Sequence, residues 1–247
     1  MLTRKQLREM HAEAVPMHIL ELDYIQTILL KGMFRSDDLV FKGGTCLRKV
    51  YGLNRFSEDL DFSTEMGETE VLNSINKGLD MLDRTGINAR LWGWKVQKTA
   101  FLGKVSYQGP LFTGSKRSEG SISLDFSKFP LKGASEWRAI MTEYPDTGTF
   151  FVQCMGLEEI LAEKYRALVQ RGKPRDLFDI WFIRKKGIEP SLEKVNEKME
   201  ETGDDRITSL KDTLSIIQQK EWVRDLGPLL DQLIPLQTII EDLKTTV

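Results

Sequence analysis

The sequence predicts an α+β protein: a mixed β-sheet flanked by helices over residues 1–150, followed by a helical bundle over residues 151–247. Three observations predict it. Short apolar runs bounded by glycine or polar residues recur between positions 39 and 126, as strands do. From Gly156 onward apolar residues instead recur at helical spacing, interrupted at Gly172-Lys173-Pro174, Gly187 to Pro190, Gly203 and Gly227-Pro228. Strands and helices of the first half do not alternate regularly, which argues against a doubly wound parallel sheet.

Each element follows in order. Residues 3 to 35 read as helical, with Thr3 as N-cap, a break at Pro16, and an apolar stripe of Leu20, Tyr24, Ile28 and Leu29. Leu39-Val40-Phe41 is a short strand ending on Gly43-Gly44, and a helix is expected from about Thr45 to Tyr51. A strand returns over Asp59 to Ser63, and residues 67 to 86 are helical up to Gly86. Three strand-like runs follow: NARLWGWKVQK, GKVSYQGPLF and GSISLDFS. The remainder is helical, with Pro174 set to begin a helix after the turn RGKPRD.

Composition bounds the function. At 247 residues, 40% hydrophobic and 29% charged, the chain has the profile of a soluble globular protein. A net charge of −2 argues against a nucleic-acid footprint over the whole surface but leaves local basic patches open. No apolar run is long enough to span a bilayer, and the charged start MLTRKQLREMHAEAV lacks a signal-peptide core. Cys46 and Cys154 form no CxxC pair and read as thiols of a reducing compartment. The expected location is the cytoplasm, with no membrane partner. His11 and His18 lie outside any HExxH pattern, so a zinc site is not expected there.

Chemistry concentrates in FKGGTCLRKVYGLNRFSEDLDFS, residues 41–63. In a strand, positions i and i+2 share a face, so Asp59 and Asp61 project together while Leu60 and Phe62 point the other way. Two ionised carboxylates side by side repel and need a counter-charge, which a divalent cation with hard oxygen ligands supplies. Gly43-Gly44 lets backbone amides approach a ligand closely, Thr45 adds a hydroxyl, and the following helix offers its positive end to a phosphate. The simpler reading is a solvated acidic strand edge with a plain turn before it. Both readings stay open on these residues alone.

Asp125, in Ile122-Ser-Leu-Asp-Phe126, is either a third carboxylate or an exposed polar position of an alternating strand. In GLEEILAEKYRALVQRGKPRDLFDIWFI, Lys164 falls on the apolar stripe of its helix, where it either snorkels to the rim or reaches into a cleft toward phosphate. Five basic residues and no acidic one lie between Lys164 and Arg175. Asp176 fits a helix-capping carboxylate, and Asp179 fits that explanation less well. Trp92 and Trp94 read chiefly as packing residues, with base stacking as the alternative.

The run GGT, thirteen residues, then DLDF resembles the nucleotidyltransferase superfamily signature, with Arg55-Phe-Ser57 preceding Asp59. Together with LAEKYRALVQRGKPRDLFDIWF, it resembles the AbiEii/AbiGii-type toxin nucleotidyltransferases, a family that includes the MenT toxins. The resemblance covers residues 39–183. It implies a nucleotidyltransferase core domain over 1–150 and a helical domain over 151–247 that completes the active-site cleft. It further implies Asp59, Asp61, Lys164 and Asp176 as catalytic residues, with Mg²⁺ or Mn²⁺ on Asp59, Asp61 and Asp125. The nucleotide would be held by Gly43, Gly44, Thr45, Arg48, Ser57 and Arg175. The expected reaction moves a nucleotide from an NTP (GTP or a pyrimidine NTP) to a tRNA acceptor, by a toxin with a cognate antitoxin. Alternatives are transfer to a protein hydroxyl or small molecule, and an inactive NTP-binding module.

Overall fold

The computed structural model describes residues 1–11, 14–34, 39–129, 133–211, 213, 217 and 219–245. It divides into two units, Met1–Cys154 and Met155–Val247. The end of the first helical expectation, residue 35, lies outside the described residues.

The first unit carries α1 (Arg4–Glu9), α2 (Met17–Met33), β1 (Leu39–Lys42), α3 (Gly43–Lys49), β2 (Asp59–Thr64) and α4 (Glu68–Arg84). Then come β3 (Asn88–Val96), β4 (Ala100–Gln108), β5 (Gly120–Ser127), β6 (Ser135–Ile140) and β7 (Phe150–Met155). Thr3 caps α1 in a reciprocal capping box with Gln6, and Pro16 precedes α2. α3 begins at Gly43 rather than near Thr45, so the glycine pair is the first turn of the helix and not a loop before it.

The seven strands form one mixed sheet in the order β3-β4-β5-β2-β1-β7-β6. β2 lies antiparallel to β1 and parallel to β5, while β1 runs parallel to β7. β6 and β7 are additions to the sequence reading. The expected break near residue 150 falls at the first residue of β7.

One face of the sheet is a continuous aromatic row. Phe41 pairs with Phe62, Phe62 with Phe126 and Phe126 with Phe101 across successive strands. Ring centroids lie 5.6 Å apart for Phe41–Phe62 and 4.9 Å for Phe62–Phe126, and all four residues are buried. Such pairs add about 0.5–1.5 kcal/mol each beyond the area they bury. α2 and α4 cross with their backbones touching: a Cβ on Gly32 would stand 2.6 Å from the Gly78 Cα.

Beyond Met155, the last residue of β7, the regular elements described in the second unit are helices joined by irregular stretches: α5 (Leu157–Arg171), α6 (Pro174–Lys185), α7 (Leu192–Thr202), α8 (Gln219–Leu226), a 3-10 turn (Gly227–Leu229) and α9 (Leu236–Thr245). Gly172 ends α5 in the left-handed conformation and Pro174 opens α6, as the RGKPRD turn suggested. No helix among the described residues is long and apolar enough to cross a membrane.

Candidate active site

Asp59 and Asp61 start β2 and project from the face opposite the aromatic row. Leu60 and Phe62, between and beyond them, are fully buried, while Asp59 is exposed and Asp61 half-buried. The parallel register of β2 with β5 sets Asp61 directly beside Asp125, and Asp59 beside Ser123. Paired residues on adjacent strands share a face, so all three carboxylates lie on one side of the sheet. The antiparallel partner of Asp61 is Lys42, at the end of β1.

The glycines fit this arrangement sterically. Gly43 has φ +74°, and a Cβ built on it would stand 2.2 Å from Asp61 Oδ2. A Cβ on Gly44 would meet Arg55 Nη2 at 2.6 Å and Ser57 Oγ at 2.9 Å. The pair therefore makes room for a carboxylate, a guanidinium and a hydroxyl against the first turn of α3. Arg55 is buried and donates from Nη1 to the Phe56 carbonyl (2.9 Å), while the Gln26 side chain donates to the Ser57 carbonyl (3.2 Å).

Thr45 and Arg48 are engaged within the protein. The Thr45 hydroxyl is buried and donates to the Asp59 backbone carbonyl (2.5 Å), which ties α3 to the start of β2. Arg48 donates from Nε to Asp23 Oδ1 (2.7 Å) and lies over the Phe56 ring at 3.5 Å. Lys49 reaches the same Asp23 oxygen at 3.0 Å, and the Tyr144 hydroxyl donates to Asp23 Oδ2 (2.7 Å). Burial pushes the Asp23 carboxyl up, but Lys49, Arg48 and the hydrogen bonds of Arg48 and Tyr144 outweigh it and hold it far below the usual range. Arg48 is thus part of a buried ionic knot with Asp23, Lys49 and Tyr144. Its partner sits 25 residues away on α2, beyond the reach of sequence spacing.

A cavity of about 530 Å³ opens beside the carboxylates, lined among others by Glu58, Asp59, Ser123, Glu21, Tyr107 and Arg117. Burial raises the Glu21 carboxyl pKa, although the Leu111 N–H donates to it (2.6 Å) and works the other way. The wall carries more carboxylates than cations, so a phosphate ligand there needs positive charge brought with it.

The donor set suits a hard cation. Mg²⁺ is ordinarily held by one or two carboxylates, with substrate phosphates and waters completing its shell. Asp59 and Asp61 meet that requirement, and Gly43 leaves the Asp61 carboxylate its space. Among the described residues no three His, Cys, Asp or Glu side chains converge as a ready-made metal cage. Asp125 lies beside Asp61 in register.

In the second unit, Lys164 is 8% exposed and does not snorkel to the surface. Its Nζ pairs with Asp179 Oδ2 at 2.8 Å and Asp176 Oδ1 at 3.3 Å, both carboxylates being fully buried. Arg171 grips Asp176 through Nε and Nη2 at 2.8 and 2.9 Å. Burial pushes the Asp176 carboxyl up, but Lys164 and Arg171 together leave it below its ordinary value. Asp176 is thus a counter-ion more than a helix cap, and Asp179, which capping explained poorly, is the nearer partner of Lys164. Arg175 pairs with Asp225 at 3.3 Å. Sequence reasoning missed a second buried lysine, Lys198, which bridges Glu159 and Glu201. Its signal was a lysine on the α7 face that also carries Val195 and Met199.

Comparisons with known proteins bear on the family and the fold. Residues 29–244 match the family described as nucleotidyl transferase AbiEii toxin, type IV toxin–antitoxin system. The chain belongs to the AbiEii family. That membership places it among the nucleotidyltransferases. The structure resembles that of MenT4, a nucleotidyltransferase toxin from Mycobacterium tuberculosis H37Rv, with a TM-score of 0.75 and 21% identity, covering 100% of this chain and 88% of that one. It also resembles JHP933 from Helicobacter pylori, with a TM-score of 0.60 and 22% identity over 94% and 91% of the two chains. At these identities the likeness establishes the fold. An uncharacterized protein of Aquifex aeolicus (strain VF5), aq_aa25, is 31% identical over 154 residues, 61% of this chain. The match spans 59% of that relative's length.

Proposed function

We propose that the protein is a metal-dependent nucleotidyltransferase toxin that moves a nucleoside monophosphate from an NTP, GTP or a pyrimidine NTP, to the acceptor end of tRNA. A cognate antitoxin would neutralise it in the cytoplasm. The observation that carries this reading is the register of β2 and β5, which sets Asp61 beside Asp125 and Asp59 beside Ser123 on the open face of the sheet.

In this reading Asp59 and Asp61 hold Mg²⁺ or Mn²⁺, with Asp125 supporting Asp61. When bound, the ion supplies positive charge that offsets the triphosphate and stabilises both the attacking and the leaving oxygen. Gly43 and Gly44 let the first turn of α3 come close to the triphosphate, with Ser57 as a hydroxyl donor. Thr45 acts indirectly, by fixing the backbone of Asp59. Lys164 serves as a catalytic cation, and Asp176 and Asp179 set its position. The two units serve as a nucleotidyltransferase core domain and a helical domain that carries Lys164.

The test is incubation of the purified chain with each labelled NTP, Mg²⁺ and total tRNA. Label in RNA is expected, and Asp59→Ala and Asp61→Ala are each expected to abolish it with the fold intact. Label in protein would assign the acceptor to a protein hydroxyl, and NTP binding without transfer would make the chain an inactive module. Full transfer by either aspartate variant would overturn the metal site.

A further inference from the structure

The two tryptophans of NARLWGWKVQK are separated onto opposite faces of the sheet. Positions i and i+2 of a regular strand would share a face. In β3, Trp92 pairs with Lys104 but Lys95 pairs with Leu102, so one extra residue is inserted between them. Gly93, with φ +65°, makes the bulge possible. Trp94 turns to the core side, where it stacks on Phe101 at 5.7 Å and its indole N–H donates to Glu68 (2.8 Å). Trp92 is left on the opposite face and stays 50% exposed.

That opposite face is the one bearing the carboxylates. Following the registers inward, Trp92 pairs with Lys104, Lys104 with Ser123 and Ser123 with Asp59. The adjacent row runs Lys95, Leu102, Asp125, Asp61. On the other side of Trp92, Arg90 pairs with Ser106, and its guanidinium contacts Glu119 at 2.9 Å. The Lys104 ammonium lies 5.8 Å from the Trp92 ring centroid. An exposed indole therefore stands among three cations, three strands from Asp59. Adjacent strands are about 4.8 Å apart, which makes the interval about 14 Å.

We propose that Trp92, with Lys104 and Lys95, is a stacking platform for a base of a single-stranded nucleic-acid acceptor whose end lies at Asp59. This rests on the nucleotidyltransferase reading above. Three features select that occupant. A base stacks on any flat aromatic face, and flanking cations take the phosphates of the same strand. The interval corresponds to a few nucleotides of a stacked strand at about 3.4 Å each, too long for the base of a nucleotide reacting at Asp59. The cations are local, on a chain whose net charge is −2, so the patch is not a by-product of a basic protein.

The test uses the full chain and a fluorescein-labelled single-stranded RNA 12-mer, followed by fluorescence anisotropy. Trp92→Ala is expected to weaken RNA binding roughly ten- to a hundredfold, the range for removing one base stack, while Trp92→Phe keeps most of it. Lys104→Gln is expected to lower the slope of log affinity against log salt by about one. NTP binding, read separately by isothermal titration, is expected to be unchanged in Trp92→Ala. Irradiating a 5-bromouridine-substituted 12-mer is expected to give an adduct on Trp92, a readout that needs no variant. Unchanged RNA affinity with no adduct overturns the proposal. Weakened NTP binding in Trp92→Ala overturns it too, by assigning the platform to the incoming nucleotide. If Asp59→Ala transfers normally while Trp92→Ala still loses RNA, the platform stands and the metal reading fails.

Discussion

Removing the Lys164 side chain tests the ionic centre of the second unit. Lys164→Ala takes away the ammonium that lies 2.8 Å from Asp179 and 3.3 Å from Asp176, both carboxylates fully buried. Breaking a buried pair by deleting one partner costs about 3–5 kcal/mol, because the other charge is left in a poor solvent. The lower end applies, since Arg171 still grips Asp176 through two hydrogen bonds. For a unit of this size each kcal/mol moves the midpoint by roughly 4–8 °C, so a fall of at least about 12 °C is expected. The pH dependence carries the stronger signature. In the natural protein the Asp176 pKa is lowered, since its ion partners outweigh burial. That contribution is full above the unfolded value near 3.9 and is lost as pH falls through the folded one. Without Lys164 the Asp176 pKa rises, so this carboxylate contributes less stability above the carboxylate range, and the variant's deficit against the natural protein narrows as pH falls through that range. Thermal melts by circular dichroism at pH 7.5 and at about pH 3.5 read both effects. A midpoint within about 3 °C of the natural protein at pH 7.5, or a deficit that widens on acidification, would refute the reasoning.

Three further outcomes are expected. Gly43→Ala forces an L-residue into a left-handed conformation, at about 1–2 kcal/mol, and drives a Cβ to 2.2 Å from Asp61 Oδ2; transfer should fall well beyond the modest loss in urea midpoint, and retained activity would show that Asp61 has room to spare. Asp23→Asn leaves Arg48 and Lys49 beside a neutral amide and should cost about 3–5 kcal/mol in urea unfolding, whereas an unchanged midpoint would mean the ionic knot contributes nothing. Because the Asp23 pKa is lowered despite its burial, its contribution persists at neutral pH and fails below the ordinary carboxylate range. Addition of Mg²⁺ with an NTP should raise the melting midpoint of the natural protein but not of Asp59→Ala, and an equal rise in both would place the ion elsewhere.

What the sequence disclosed follows from the range of the forces involved. Period-two alternation was enough to put Asp59 and Asp61 on one face, and local turn chemistry was enough to end α5 at Gly172 and open α6 at Pro174. The register that sets Asp125 beside Asp61 depends on pairing across more than sixty residues, which no local pattern encodes. A shorter separation, 25 residues, likewise hid from local patterns that Asp23 is the buried carboxylate holding Arg48. β6 was invisible because SEWRAI presents no clean apolar face; only Ile140 is buried among its six residues. β7 is half of a parallel pair with β1, and such pairing leaves no turn signal between its partners. Lys164 was conspicuous because a charge on an apolar stripe is unusual, but its two counter-ions belong to the next helix, and helical spacing alone could not say which aspartate stood closer.

The bulge at Gly93 gives the edge strand an uncommon freedom. A β-strand is a parity device, in which odd positions answer to the core and even positions to the solvent, so an inserted or deleted residue normally scrambles both. Here the insertion sits in an outermost strand of the sheet, and the residues on either side of it recover their partners at once. Loss of the Gly93 codon would make Trp92 and Trp94 neighbours in an unbulged strand, which still point to opposite faces, with the aromatic row beneath left undisturbed. The exposed ring and the buried one are therefore kept apart by either form of the strand, and the bulge can come or go independently of the scaffold that holds the carboxylates.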